Sequence, residues 1–272
     1  MQIADIYEAC KDATASFVHN AGFTHVVIGL SGGIDSSLVA TIAVDALGAN
    51  NVHGVLLPGP YSSDHSVSDA KQLSENLAID AITIPIIEPY NAFAKNISDA
   101  TASPFDGLAS ENTQARCRTV VLMALSNMYG WLMLNTGNKS EAAMGYSTLY
   151  GDAAGAFAPI GGIYKTQVYQ MCEWRNKQAL DAGEIAPIPR NVIEKPPSAE
   201  LSVGQLDEKA LGIDYKTLDT ILIELVEHNA DVQSVVDMGF SKARVQNILQ
   251  RFEANAFKRA MEPPYPSVQF YE

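Results

Sequence analysis

"IGLSGGIDSS", residues 28 to 37, stands between a short apolar run and a helical pattern. Upstream, "HVVIGL" (25–30) is β-branched and apolar, the composition of a strand buried on both faces. Downstream, "SSLVATIAVDALG" (36–48) has the pattern of a helix closed by Gly48. The glycines therefore join a strand end to a helix start, the place where open parallel sheets bind ligands.

The same alternation runs outward from this loop. Residues 3–18 place Ile3, Ile6, Tyr7, Cys10, Phe17 and Val18 at helical spacing, with Gly22 where a left-handed cap belongs. Strands are predicted at 51–58, 81–86 and 131–137, and helices at 64–78, 89–101 and 111–129. Four buried strands separated by helices imply right-handed crossovers and an α/β fold with a doubly wound, mainly parallel, Rossmann-like sheet. Residues 145–163 are rich in Gly, Ala and Tyr with no sustained period, and an irregular stretch of that length is more often a functional loop than filler. Beyond it, a helix is predicted at 165–182, an extended Pro-rich segment at 186–201, and helices at 214–229 and 241–256 as a covering layer. The tail "EPPYPSVQFYE" should run extended along a surface. No repeat or linker divides the chain, so 1–272 reads as one domain with a core at about 25–170 and a C-terminal helical cover at about 205–260.

Eighteen Lys and Arg against 31 Asp and Glu give a formal charge of −13, which argues against coating nucleic acid. Cationic contacts must then be local. The sequence has no run of about 18 or more apolar residues and no leader-like N-terminus, so a cytoplasmic protein without membrane attachment is expected. Cys10, Cys117 and Cys172 are far apart and odd in number, which suggests buried thiols rather than a disulfide framework or a zinc site.

The loop is neither of two familiar phosphate loops. It lacks the lysine of G-x-x-x-x-G-K-[ST], and its glycines at 29, 32 and 33 do not fit G-x-G-x-x-G. Adjacent glycines can still turn backbone N–H groups toward one point at a helix N-terminus, which makes an anion nest. A carboxylate inside such a nest repels phosphate unless a cation intervenes, so Asp35 reads as a Mg²⁺ ligand bridging to phosphate oxygens. The alternative makes Asp35 an N-cap and the glycines a tight turn.

"SGGIDSS" resembles the pyrophosphate-holding loop of the ATP-pyrophosphatase enzymes, the adenine nucleotide alpha hydrolase-like superfamily. Further segments narrow the resemblance: "ENTQARCR" (111–118), "NTGNKSE" (135–141), "GYSTLYGD" (145–152), "YKTQVY" (164–169), "KPPSAEL" (195–201) and "DEKALGIDYKTLD" (207–219) follow the order and spacing of the NAD synthetase family. The resemblance covers roughly residues 25–265, and the ammonia-dependent type is the one expected. It implies that Gly29, Leu30, Ser31, Gly32, Gly33, Ile34, Asp35 and Ser36 bind ATP together with Thr136, Lys165 and Ser198. Asp35 and Glu141 would hold Mg²⁺. Arg116, Asp152 and Lys258 would contact deamido-NAD, and Asp35, Lys165 and Asp152 would carry the chemistry. Taken alone, Lys165 suits a solvated helix start equally well, and Glu141 a helix surface. The implied reaction activates the nicotinate carboxylate of deamido-NAD as an adenylate, expels pyrophosphate, and lets ammonia form the amide of NAD.

The sequence departs from ammonia-dependent relatives at Leu149, Ala156 and Phe257, where those proteins often carry Lys, Asp and His. Asp152 is expected to take part of the lost acidic role. The segment is more like the synthetase half of glutamine-dependent members, but no cysteine has the flanking signature of a glutaminase nucleophile. Free ammonia, or a separate glutaminase, is the expected source of nitrogen. Competing readings are a GMP-synthetase-like half, a tRNA-thiolating enzyme, and a nucleotide-binding sensor without turnover. The family also implies a homodimer, and helix 111–129 is apolar over more than one face, as a core or a two-fold interface would require.

Overall fold

The computed structural model describes residues 1–271. Its centre is a four-stranded, all-parallel sheet in the order β3-β2-β1-β4, built from β1 (Val26–Gly29), β2 (Val52–Leu56), β3 (Asp80–Thr83) and β4 (Leu132–Met133). α1 (Ile3–Asn20) precedes β1, and the strands are connected through α2 (Ile34–Leu47), α3 (Asp64–Asn76), α4 (Ile87–Thr101) and α5 (Gly107–Tyr129). After β4 come α6 (Lys139–Met144), α7 (Lys165–Asp181), α8 (Arg190–Glu194), α9 (Asp207–Leu211), α10 (Tyr215–Leu222), α11 (Val232–Asp237), α12 (Lys242–Ala254) and α13 (Ala256–Arg259).

Alternation along the inner strands produces two cores. Val26 and Ile28 of β1 face one core with Val52 and Leu56 of β2 and with Leu132; Val27 faces the other with Val55 and Met133. The first core is closed by α1, α2 and α7, the second by α4 and α5. A strand between two apolar layers has no polar face, which is why the inner strands read as continuous apolar runs. The doubly wound α/β sheet expected from the sequence is the fold observed.

Several elements differ from the sequence reading. α2 begins at Ile34, so Asp35 lies inside its first turn and Gly33 is the capping position. β3 is exposed along its whole length, not buried, because it is the sheet edge and neither core reaches it. The 131–137 strand stops pairing with β1 after Leu134; Leu134 then bridges Phe157, and the Asn135 amide donates to the Phe157 carbonyl (2.8 Å), so the irregular loop docks beside the sheet. α8 interrupts the segment expected to be extended, and the short helices α6, α9 and α11 were not anticipated. The tail does run without regular structure, but Phe270 and Tyr271 are buried in the first core instead of lying on a surface. Among the described residues, no helix is long and apolar enough to cross a membrane.

Candidate active site

The β1–α2 loop lies at the carboxyl edge of the sheet and forms one wall of a cleft of about 330 Å³. Gly32 has φ +75°, and a Cβ there would stand 2.1 Å from the Ser66 carbonyl oxygen at the start of α3. Only glycine fits. The Ser31 and Ser36 hydroxyls lie 2.9 Å apart, Ser31 Oγ accepts the Gly33 amide (3.1 Å), and Ser36 and Ser37 donate to the Gly33 carbonyl (3.1 and 2.8 Å). These bonds hold the turn in shape. The amides of Ile34, Asp35 and Ser36, at the open end of α2, have no helical carbonyl to meet and form a ready anion site.

Three charged side chains converge beside that helix end. The Lys165 ammonium is 1% exposed and pairs with both Asp35 and Glu141, the latter at 3.1 Å. Asn138 Nδ2 donates to Asp35 (3.0 Å) while Asn138 Oδ1 accepts the Glu141 amide (3.0 Å), so one side chain caps α6 and orients the carboxylate of α2. Burial raises the Glu141 carboxyl to about 7 against the opposing pull of Lys165. Burial alone would lower the Lys165 ammonium, but Asp35 and Glu141 outweigh it and hold it above the ordinary lysine range.

The structure brings Gly29 to Ser36 (Gly32 excepted from the cleft wall), Thr136, Glu141, Asp152, Lys165 and Ser198 to this one cleft. Ser198 donates to the Gln205 carbonyl (2.6 Å), and Asp152 accepts the Thr148 amide (2.6 Å) with its carboxyl raised by burial. Arg116 and Lys258 do not reach the cleft wall. Arg116 is exposed, its Nε donating to the Leu149 carbonyl (3.2 Å), and Lys258 spends its ammonium on the carbonyls of Gly145 and Ser147, both at 2.7 Å. Both therefore brace the irregular loop. Asn135 fixes the same loop from beneath by donating to the carbonyls of Asp152 (2.8 Å) and Ala154 (3.0 Å).

Five charged residues in the wall were missed by the sequence reading: Arg118, Lys195, Glu200, Asp207 and Glu262. Arg118 is two residues from Arg116, so it points to nearly the opposite side of α5, and the burial of Gln114, Ala115 and Cys117 marks the inward side in the folded chain. Lys195 pairs with Asp69 (2.7 Å), and Asp207 accepts from Tyr146 (3.2 Å) and the Ala199 amide (3.1 Å). Both lie in quoted motifs, but only the tertiary fold brings them here.

The wall holds Asp35, Glu141, Asp152, Glu200, Asp207 and Glu262 against Arg118, Lys165 and Lys195. A polyphosphate entering such an acidic cleft needs further positive charge. Asp35 and Glu141 present two convergent carboxylates, which fits Mg²⁺, typically held by one or two carboxylates with phosphate and water completing the shell. Among the described residues no group of three or more His, Cys, Asp or Glu could hold a metal, so substrate oxygens would have to contribute.

A family model described as NAD synthase matches residues 6–262. The glutamine-dependent NAD(+) synthetase of Synechocystis sp. is 46% identical over 264 residues, 96% of this chain and 45% of that protein. The Thermotoga maritima protein of the same name is 44% identical over 94% of this chain and 43% of its own length. The chain thus spans about half the length of the curated relatives it matches. Among solved structures, the NH3-dependent NAD synthetase from Campylobacter jejuni is 31% identical with a TM-score of 0.75, covering 95% of this chain and 96% of that one. The NMN synthetase from Francisella tularensis is 29% identical with a TM-score of 0.78 and the same coverage. A family match over nearly the whole chain coincides with a glycine loop and a carboxylate–lysine cluster at one sheet edge, and on these grounds the chain belongs to the NAD synthase family.

Proposed function

We propose that the chain carries the ATP-dependent amidation of deamido-NAD to NAD, releasing AMP and pyrophosphate, with ammonia as the nitrogen donor. The observation that carries this reading is the Asp35–Lys165–Glu141 cluster set against the open end of α2. In the first step a nicotinate carboxylate oxygen bonds to the α-phosphorus of ATP and the α–β anhydride breaks. In the second, ammonia attacks the acyl carbon, the bond to AMP breaks, and the nitrogen loses a proton. No protein nucleophile is needed.

The chain's contribution is position and charge. The amides of Ile34 to Ser36 take up phosphate oxygens, with Thr136 and Ser198 at the cleft wall as further ATP contacts. Lys165 lies where negative charge grows on the departing pyrophosphate. Asp35 and Glu141 would hold Mg²⁺, which supplies charge neutralisation across the phosphates. The braced loop 145–163 keeps water from the adenylate, and Asp152 presents a carboxyl to the acceptor side. Arg116 and Lys258 hold that loop from outside the wall, and in a homodimer, as the family resemblance implies, Arg116 would contact a dinucleotide at the subunit interface.

Ammonia as donor is supported by the full-length likeness to the NH3-dependent C. jejuni structure. A separate glutaminase fits equally well, since the longer relatives are named glutamine-dependent. The test is an assay with deamido-NAD, ATP and Mg²⁺, run with ammonium or glutamine, with nicotinate mononucleotide as a competing acceptor because an NMN synthetase has the same fold. Equal amounts of NAD, AMP and pyrophosphate with ammonium, lost in Asp35→Ala, are expected. Preference for the mononucleotide, or ATP bound and returned unchanged, would overturn the assignment.

A further inference from the structure

α7 starts at Lys165, but its capping residue, Tyr164, gives it no side-chain cap. Its first amides are met from other elements. The Lys165 N–H donates to Ser140 Oγ (2.8 Å) and the Thr166 N–H donates to Asp219 Oδ2 (2.8 Å). The Ser140 hydroxyl in turn donates to Asp219 Oδ1 (2.5 Å). Ser140 precedes Glu141 on α6, and Asp219 is on α10, 1% exposed and absent from the cleft wall.

A ring therefore closes through backbone and side chains. Asn138 joins Asp35 to the Glu141 amide, Lys165 joins Asp35 to Glu141, and Asp219 joins the start of α6 to the start of α7. Two donors converge on Asp219, so a carboxylate satisfies both with no donor of its own to place. An amide at that position offers one acceptor and forces the Ser140 hydroxyl to turn. Asp219 thus acts on the helix that carries the lysine.

We propose that Asp219 is a positioning residue: by capping α7 across the fold and fixing Ser140, it sets the Lys165 ammonium between Asp35 and Glu141. This rests on the reading above that those three side chains handle the ATP phosphates. Lys165 starts at a helix terminus, where an uncapped turn frays, and a displacement of about 1 Å at a reacting centre can cost about 100-fold in rate.

The test compares Asp219→Asn, Ser140→Ala and the double variant with the wild type in melting temperature, kcat, KM for each substrate, and amide exchange of residues 163–167. Expected in each single variant is a kcat lower by at least about 10-fold with KM for deamido-NAD within about 2-fold. The double variant should be no worse than the more severe single one, because both act along one path. Exchange at Lys165 and Thr166 should quicken by at least about 10-fold while the rest of α7 is unchanged. Unchanged kcat per folded molecule, multiplicative losses in the double variant, or unaltered exchange would each overturn the proposal. If Asp219→Asn fails to fold, Ser140→Ala alone decides through the same readouts. A wild type without turnover would refute the functional reading, and the exchange result would then judge the clamp by itself.

Discussion

Lys165 is the side chain on which the site's electrostatics balance: 1% exposed, shared by Asp35 and Glu141, and attracted also by Asp207. Replacing it with Met leaves the carboxylates facing one another with no cation between them. Removing one partner of a buried ion pair typically costs about 3–5 kcal/mol. Lys165→Met should accordingly lose about 3 kcal/mol in chemical denaturation and at least about 100-fold in kcat, the magnitude of one lost transition-state donor; retention of either quantity would show that the ammonium is dispensable. A second residue predicts a pH effect. Glu262, in the cleft wall, has its carboxyl raised to about 7 by burial, with Arg259 opposing. The native state therefore holds that proton more tightly than the unfolded chain does. Its contribution favours folding at low pH and is lost as pH rises from about 4.5 to about 7. Glu262→Gln should flatten that part of the stability curve and add about 2 kcal/mol at pH 8, the about 3.5 kcal/mol that such a shift implies at about 1.4 kcal/mol per pKa unit being reduced by solvent screening of a part-exposed group; parallel curves for the two proteins would remove Glu262 from the account.

At the scale of elements, α5 presents two arginines to two different environments. Arg118 Nε donates to the Leu57 carbonyl (3.0 Å) at the end of β2, and burial lowers its guanidinium despite Asp152 and Glu200 nearby. Arg116 stands on the outer side with Val120 and Met123, 66% and 40% exposed. Arg118→Ala should lower kcat/KM for ATP by about 100-fold, and Arg118→Lys should not rescue it, because lysine cannot hold the Leu57 carbonyl and still present a guanidinium to the cleft. Steady-state kinetics on the two variants decides this. The same contrast explains what was legible in sequence. β1, the glycine loop and α2 are contiguous, so their junction was visible from composition and spacing alone. Which face of α5 points inward was not, because an apolar helix with two candidate faces is resolved only by what packs on it. α6 escaped notice because six residues carry too little periodicity, and Asn138 at its start and Gly145 at its end were its cap signals. Lys195, just after α8, and Asp207, at the start of α9, are close to the glycine loop only in the folded chain.

At the scale of the whole molecule, one face is apolar and uncovered. Along α5, Arg116, Val120, Met123, Ala124 and Asn127 form a single exposed stripe, and the adjoining α4 exposes Phe93 and Ile97 at 52% and 41%. A contiguous patch of this kind on a monomer marks an interaction surface. A second copy of the chain is the expected occupant: two-fold pairing of α5 with its counterpart would bury the stripe and bring Arg116 to the interface. That geometry reconciles an arginine outside the wall of its own cleft with the role in dinucleotide binding expected from the family resemblance. Val120→Glu puts a charge at the centre of the stripe, and an unpaired buried charge is strongly unfavourable in such an interface. Sedimentation should give a dimer for the wild type at about 10 μM, where a standard interface of about 1,600 Å² is stable, and a monomer for Val120→Glu. The variant should also raise KM for deamido-NAD by about 10-fold while leaving KM for ATP nearly unchanged, because the glycine loop, Lys165 and Glu141 belong to one subunit. A monomeric wild type with full activity would return Arg116 to the role of a loop brace, since its reach to the dinucleotide depends on the partner.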